Sequence, residues 1–131
     1  MKRITFLFVA TALVMIAASS AFSQAQKRID FARGATSTIV TGTLNGYNDR
    51  RTYVVKLRRG QTLTTESAGT NYITVDIKPP RGASYDADLA ADCHDRHRAA
   101  RTAAGDYIIT VTECRKADRW RGRFRLRVGV R

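Results

Sequence analysis

Apolar and charged residues alternate along the C-terminal end of the chain. Apolar side chains stand at Phe124, Leu126, Val128 and Val130, and arginines stand at positions 123, 125 and 127. Because successive side chains of a β-strand point to opposite faces, this period of two predicts a strand with one face in a core. The arginines then form a ladder on the outer face, which we call the arginine ladder.

The same period recurs in other segments that are rich in Thr, Val and Ile and that end at Gly, Asn or Pro. Predicted strands cover residues 36–44, 52–57, 61–67, 71–77, 106–113 and 123–130, with a shorter alternation at 29–32. Their spacing of roughly ten residues predicts an all-β fold, a small antiparallel β-sandwich of about seven to eight strands. Residues 83–104 lack the pattern and are expected to hold a short helix or a long loop.

The first 25 residues have the layout of a secretory signal peptide. Lys2 and Arg3 precede an apolar run over residues 4–18, and small residues follow it. The run is shorter than the roughly 20 residues that span a bilayer. We therefore expect residues 1–25 to be removed and residues 26–131 to form a single periplasmic or secreted domain without a membrane span. An uncleaved N-terminal anchor is the alternative.

The chain is strongly basic but also apolar enough to fold. It has 23 Lys and Arg against 11 Asp and Glu, a formal charge of +12, which becomes +10 when Lys2 and Arg3 are removed. A hydrophobic share of 44% excludes a disordered basic tail. In an oxidising compartment the two cysteines, Cys93 and Cys114, are expected to form a disulfide. Two free thiols are the alternative, but the chain has no C-x-x-C motif.

Residues for catalysis or metal binding are scarce. Neither G-x-S-x-G nor H-E-x-x-H occurs. His94 and His97 could share a metal with Asp95 or Cys93, but solvated histidines beside a disulfide are the favoured interpretation. We therefore expect no enzyme activity, no cofactor and no metal.

Two features suggest binding instead. The arginine ladder could hold phosphates, anionic glycans or acidic protein sites, although outward charge is more often simply solvated. A nucleic-acid partner is not expected of an exported protein. Tyr47, in a tight turn at residues 45–49, is either an exposed anchor for a partner or a ring folded back over the edge of the core.

Two stretches resemble the periplasmic inhibitors of goose-type (g-type) lysozyme. They are IDFARGATSTIVTGTLNGYNDRRTYVVKLRRGQTLT and AAGDYIITVTECRKADRWRGRFRLRV. The first contains Phe-x-x-Gly, a Gly-Tyr turn, a Thr-Tyr strand and an Arg-Gly-Gln turn, in the order of that family. The second contains its Arg-x-x-x-Arg between the last two strands. The resemblance extends over residues 29–130.

This resemblance implies a β-sandwich that inhibits lysozyme by inserting loops into the catalytic cleft. The partner-binding residues that it implies are Tyr47, Arg115 and Arg119. A lysozyme cleft holds catalytic carboxylates, and arginine can bind a carboxylate through two parallel hydrogen bonds. The chain departs from the family pattern in Ala104, where a serine is usual, and in its cysteine pair. A cell-wall or anionic-glycan binding module is the alternative function.

Overall fold

The computed structural model describes residues 25–83, 93, 96–99 and 102–131. Nearly all of the predicted signal peptide, together with His94 and Asp95, lies outside the described residues. Eight strands are present: β1 (Lys27–Arg28), β2 (Ser37–Asn45), β3 (Arg50–Leu57), β4 (Leu63–Ser67), β5 (Ile73–Lys78), β6 (Arg96–Ala99), β7 (Gly105–Glu113) and β8 (Arg121–Val130). The predicted all-β class is confirmed.

The strands form two four-stranded sheets that share a hydrophobic core. One sheet has the order β1-β3-β7-β5 and the other β2-β8-β4-β6. Strands pair antiparallel throughout, except that β1 lies parallel to β3. Tyr107, Ile109 and Val111 of β7 in one sheet and Leu126 and Val128 of β8 in the other are buried in the same core. The predicted β-sandwich is therefore confirmed.

Strand β8 follows the predicted alternation. Phe124, Leu126, Val128 and Val130 are buried, whereas the arginines at 123, 125 and 127 are exposed. The arginine ladder thus lies along the outer face of the second sheet, as the sequence predicts.

Two local predictions were wrong. Within residues 83–104, Arg96–Ala99 form neither a helix nor a loop but the edge strand β6, which pairs with β4. An edge strand needs no continuous apolar pattern, and charged residues protect its open side. Residues 29–32 are also not the predicted strand; the strand in this region is β1, at Lys27–Arg28. Ile29 follows it directly and is buried, and its N–H donates to the carbonyl of Val54 at 2.8 Å.

The predicted disulfide is confirmed. Cys93 and Cys114 are bonded with their Cα atoms 5.3 Å apart, and both cysteines of the chain are used. Their sequence separation of 21 closes a loop that stabilises the fold by roughly 3 kcal/mol in the chain-entropy picture. The bond anchors Cys93 to the residue that directly follows β7.

An exposed ion pair fixes the short strand β1. The guanidinium of Arg28 donates two hydrogen bonds of 3.1 Å to the carboxylate of Asp106 on β7. This pairing holds the pKa of Asp106 below its usual value. The stabilising effect of the pair is therefore present at neutral pH and is lost as the pH falls through the lowered pKa.

No helix within the described ranges is long and apolar enough to cross a bilayer.

Two aromatic side chains of the core pack directly against the backbone of a glycine in β2. Gly42 is paired with Phe124, whose ring meets that of Tyr53 edge to face at 6.4 Å between centroids. A Cβ atom at position 42 would lie 2.5 Å from two ring carbons of Phe124 and 2.9 Å from the hydroxyl of Tyr53. Any side chain at position 42 would therefore collide with Phe124 on the neighbouring strand of the same sheet and with Tyr53 of the other sheet.

We predict that Gly42→Ala destabilises the protein by about 1–3 kcal/mol, because the added methyl group overpacks this contact. Denaturant unfolding measures the difference. Gly129→Ala on β8 is the matched control, since its Cβ would make only ordinary contacts of 3.7–3.9 Å. Equal unfolding midpoints for the two variants would contradict the prediction.

Candidate functional site

Two connections between the sheets lie side by side at one end of the sandwich. Residues 46–49 join β2 to β3, and residues 114–120 join β7 to β8. Strand pairing brings the connections together, because Asn45 is opposite Arg121 in one sheet and Arg50 is opposite Thr112 in the other. We call them the 46–49 turn and the 114–120 loop.

The 46–49 turn is shaped by its own backbone and by one aspartate. Gly46 has a φ of 108°, a conformation that side-chain-bearing residues rarely adopt. The carboxylate of Asp49 accepts hydrogen bonds from the N–H groups of Asn45 and Arg50, both at 2.9 Å, and from the guanidinium of Arg51 at 2.6 Å. These bonds fix the path of the turn that carries Tyr47.

A buried carboxylate joins the turn to the loop. Glu113, the last residue of β7, is only 1% exposed. Its Oε1 accepts the N–H of Gly46 at 2.9 Å, and its Oε2 accepts the N–H of Trp120 at 3.4 Å. Glu113 therefore holds the beginning of the turn and the end of the loop in one arrangement.

Sequence reasoning missed Glu113 as a positioning residue, although a signal exists. Tyr107, Ile109 and Val111 define the inward face of β7, and Glu113 continues their period of two. An acid at an inward position must find hydrogen-bond donors, since burying it without partners is costly. Which donors it finds is visible only in the fold.

Tyr47 and Arg119 form the centre of the site. The guanidinium carbon of Arg119 lies 4.9 Å from the centroid of the Tyr47 ring, a cation–π contact. The hydroxyl of Tyr47 donates to the carbonyl of Ala117 at 2.8 Å. Tyr47 is half-buried, so its ring rests against the 114–120 loop while its hydroxyl bonds to that loop.

Arg115 lies beside this pair with a looser contact. Its guanidinium approaches the side-chain oxygen of Asn48 at 3.5 Å, the far limit of a hydrogen bond. Arg115 and Arg119 are both exposed. The structure thus brings the three predicted residues into one cluster, with two exposed guanidinium groups around a partly buried ring.

Two further aromatic residues border the cluster. The Trp120 indole N–H donates to the carbonyl of Tyr72 at 3.0 Å, and the same carbonyl accepts the N–H of Cys114. The ring of Tyr72 is 59% exposed, one of two large exposed hydrophobic side chains among the described residues. Tyrosine, tryptophan and arginine are the residue types most enriched in binding hot spots.

Within the described residues, no group of three or more His, Cys, Asp or Glu side chains is placed to hold a metal ion. Cys93 is bonded to Cys114. Of the other candidate ligands, His97 belongs to β6, and His94 and Asp95 lie outside the described residues.

Solved structures similar to this chain share its sandwich. PliG of Aeromonas hydrophila, a periplasmic inhibitor of g-type lysozyme, matches with a TM-score of 0.64 and 25% identity, over 81% of this chain and 96% of that chain. PliG of Salmonella Typhimurium, another such inhibitor, matches with a TM-score of 0.59 and 18% identity, over 81% and 97%. A variant of the g-type inhibitor of Escherichia coli matches with a TM-score of 0.58 and 19% identity, over 82% and 100%.

The likeness is one of fold over almost the full length of these inhibitors. No known protein-family model matches the chain. No curated protein matches it in sequence either.

We predict that Glu113→Ala destabilises the fold by about 1–3 kcal/mol, because the buried N–H of Gly46 and the partly buried N–H of Trp120 lose their acceptor. The amide protons of Gly46 and Trp120 should also exchange faster with solvent. Denaturant unfolding and amide hydrogen exchange measure the two effects.

Glu66→Ala is the control, since among the described residues its carboxylate is bonded to Arg96 and Arg127, whose side chains are 67% and 49% exposed. Its cost should stay below about 1 kcal/mol. Unchanged exchange at Gly46 and Trp120 in Glu113→Ala would contradict the positioning role.

Proposed function

We propose that this protein is an exported inhibitor of lysozyme, with g-type lysozyme as its first target, and that residues 26–131 are the exported domain. The observation that carries the proposal is the cluster of Tyr47, Arg115 and Arg119 on a sandwich shared with three g-type lysozyme inhibitors. The signal-like N-terminus supports export, and the periplasmic location of those inhibitors agrees with it.

The proposed mechanism is occlusion of the catalytic cleft. Glycoside hydrolases of this kind act through carboxyl groups that flank the scissile bond. The guanidinium groups of Arg115 and Arg119 match such carboxylates in charge and geometry. A loop that occupies the cleft excludes the substrate without any reaction of its own.

Tyr47 contributes in two ways under this proposal. Its ring makes the cation–π contact with the guanidinium of Arg119. Its hydroxyl links the 46–49 turn to the 114–120 loop by donating a hydrogen bond to the carbonyl of Ala117. Arg119 is therefore held near one position before a partner arrives, which lowers the entropy lost on binding.

We predict selective inhibition of g-type lysozyme in a lysis assay that compares goose-type, chicken-type and invertebrate-type enzymes. The purified exported protein is titrated against each. Arg119→Ala should weaken inhibition by at least about 2 kcal/mol, since loss of an interfacial charge leaves its partner unpaired. Arg125→Ala, which removes an exposed arginine of the ladder, should leave inhibition unchanged.

Two substitutions at Tyr47 separate its roles. Tyr47→Phe keeps the ring beneath Arg119 and loses only the bond to Ala117, so it should retain most of the inhibition. Tyr47→Ala removes both and should approach the loss in Arg119→Ala. A folded Arg119→Ala protein of full potency would refute the site, and failure to inhibit any lysozyme would refute the function.

A further inference from the structure

A second basic surface lies on the outer face of the β2-β8-β4-β6 sheet, away from the 46–49 turn. It is a groove of about 470 Å³. Four arginines line it, Arg96 and Arg98 from β6 and Arg127 and Arg131 from β8 and its end. Glu66 is the single acidic residue among the described residues that line it.

A glycine opens the groove. Gly129 of β8 is paired with Ser37 of β2 on one side and with Thr64 of β4 on the other. Thr64 is paired in turn with Arg98 of β6, so the four residues form one row across the sheet. Since position 129 has no side chain, the sheet has a gap at this point, bordered by hydroxyl groups on two sides. Residues of β2 and β4, the strands on either side of β8, form the sides of the groove.

The backbone around the groove is firmly held. Thr62 and Arg131 exchange two hydrogen bonds of 2.7 and 3.1 Å, and the N–H of Val130 donates to the carbonyl of Thr36 at 2.8 Å. These bonds fix the chain on which Arg131 and the hydroxyl-bearing residues are placed.

The arginines differ in how far their charge is already neutralised. Glu66 accepts a hydrogen bond from Arg96 at 3.1 Å and one from Arg127 at 3.4 Å. In the part of the chain that the structure describes, no hydrogen bond or ion pair engages the guanidinium groups of Arg98 and Arg131. The groove therefore keeps an excess of positive charge at Arg98 and Arg131.

The chemistry of the lining selects the class of ligand. Guanidinium groups bind carboxylate, phosphate or sulfate groups through paired hydrogen bonds. The hydroxyls of Ser37, Thr62 and Thr64 can both donate and accept, which suits the hydroxyl groups of a sugar. Among the described residues that line the groove there is no aromatic ring on which a neutral sugar or a base could stack.

We propose that this groove binds the acidic sugars of an anionic polysaccharide. The proposal is independent of the proposed lysozyme inhibition, because the groove shares no residue with the Tyr47 cluster. A protein with both surfaces would be retained on an acidic glycan while its other end stays available to a partner.

Binding of sugar oligomers to the purified exported protein tests the proposal, by calorimetry at low and at physiological salt. The probes are oligogalacturonate, a heparin oligosaccharide of the same number of sugars, and neutral maltose oligomers of that length. The two acidic probes should bind, and the neutral one should not. Equal binding of the neutral oligomer would overturn the proposal.

Matched charge variants distinguish the groove from the net charge of the protein. Arg98→Gln/Arg131→Gln should weaken oligogalacturonate binding by roughly tenfold, because two bidentate contacts are lost. Lys56→Gln/Lys78→Gln removes the same charge from exposed positions on the opposite sheet and should change affinity by less than about twofold. Equal losses in the two double variants would overturn the proposal.

Glu66→Gln gives a test by gain of binding. It keeps the size of the side chain but releases Arg96 and Arg127 from their carboxylate, so oligogalacturonate should bind several-fold more tightly. Unchanged or weaker binding would count against the groove. Equally tight binding of a single-stranded oligonucleotide of matched charge through the same arginines would also overturn the proposal, since it would indicate a surface for polyanions in general.

Discussion

The buried carboxylate of Glu113 determines the arrangement of one end of this protein. It ends a strand whose other inward residues are apolar, and its two oxygens accept N–H groups from two different connections, at Gly46 and Trp120. A buried acid is stable only when such donors surround it. The turn and the loop supply the hydrogen-bond donors that the buried carboxylate needs, and the carboxylate in turn holds the turn and the loop together. Together with the bond from Tyr47 to Ala117, Glu113 places the ring of Tyr47 beside Arg119.

The two faces of β8 serve different purposes. Its inward residues supply much of the core, and its outward arginines give the second sheet a basic surface. Exposed charges on a strand face contribute little to stability, since they are well solvated and screened by salt. The grouping of Arg127 with Arg96, Arg98 and Arg131 around the gap at Gly129 is therefore not required by folding. This is the physical reason for assigning a ligand to the groove rather than regarding its arginines as ordinary surface charge.

The fold was predictable where local patterns are strong. Strands β2–β5, β7 and β8 are long enough for a period of two to appear. The even cysteine count, in a chain expected to be exported, correctly indicated the disulfide. Strand β6 was not predictable, because four residues at an edge are ordered by pairing with β4 rather than by their own composition. In the site, Tyr47, Arg115 and Arg119 came from the resemblance. The role of Glu113 depends on Gly46, which is 67 residues away in sequence, and no local pattern encodes such a contact.

The two arginines of the 114–120 loop differ in how well they are prepared for binding. Arg119 is stacked on a ring that is itself fixed by a hydrogen bond to Ala117, whereas Arg115 has only a long contact to the exposed Asn48. Ordering a long side chain at an interface costs about 0.5–1.5 kcal/mol. Arg119 has lost part of this freedom during folding, but Arg115 must lose nearly all of it on binding. Equal contacts with a partner's carboxylates would therefore yield more net affinity from Arg119 than from Arg115, and Tyr47 is the cause of the difference.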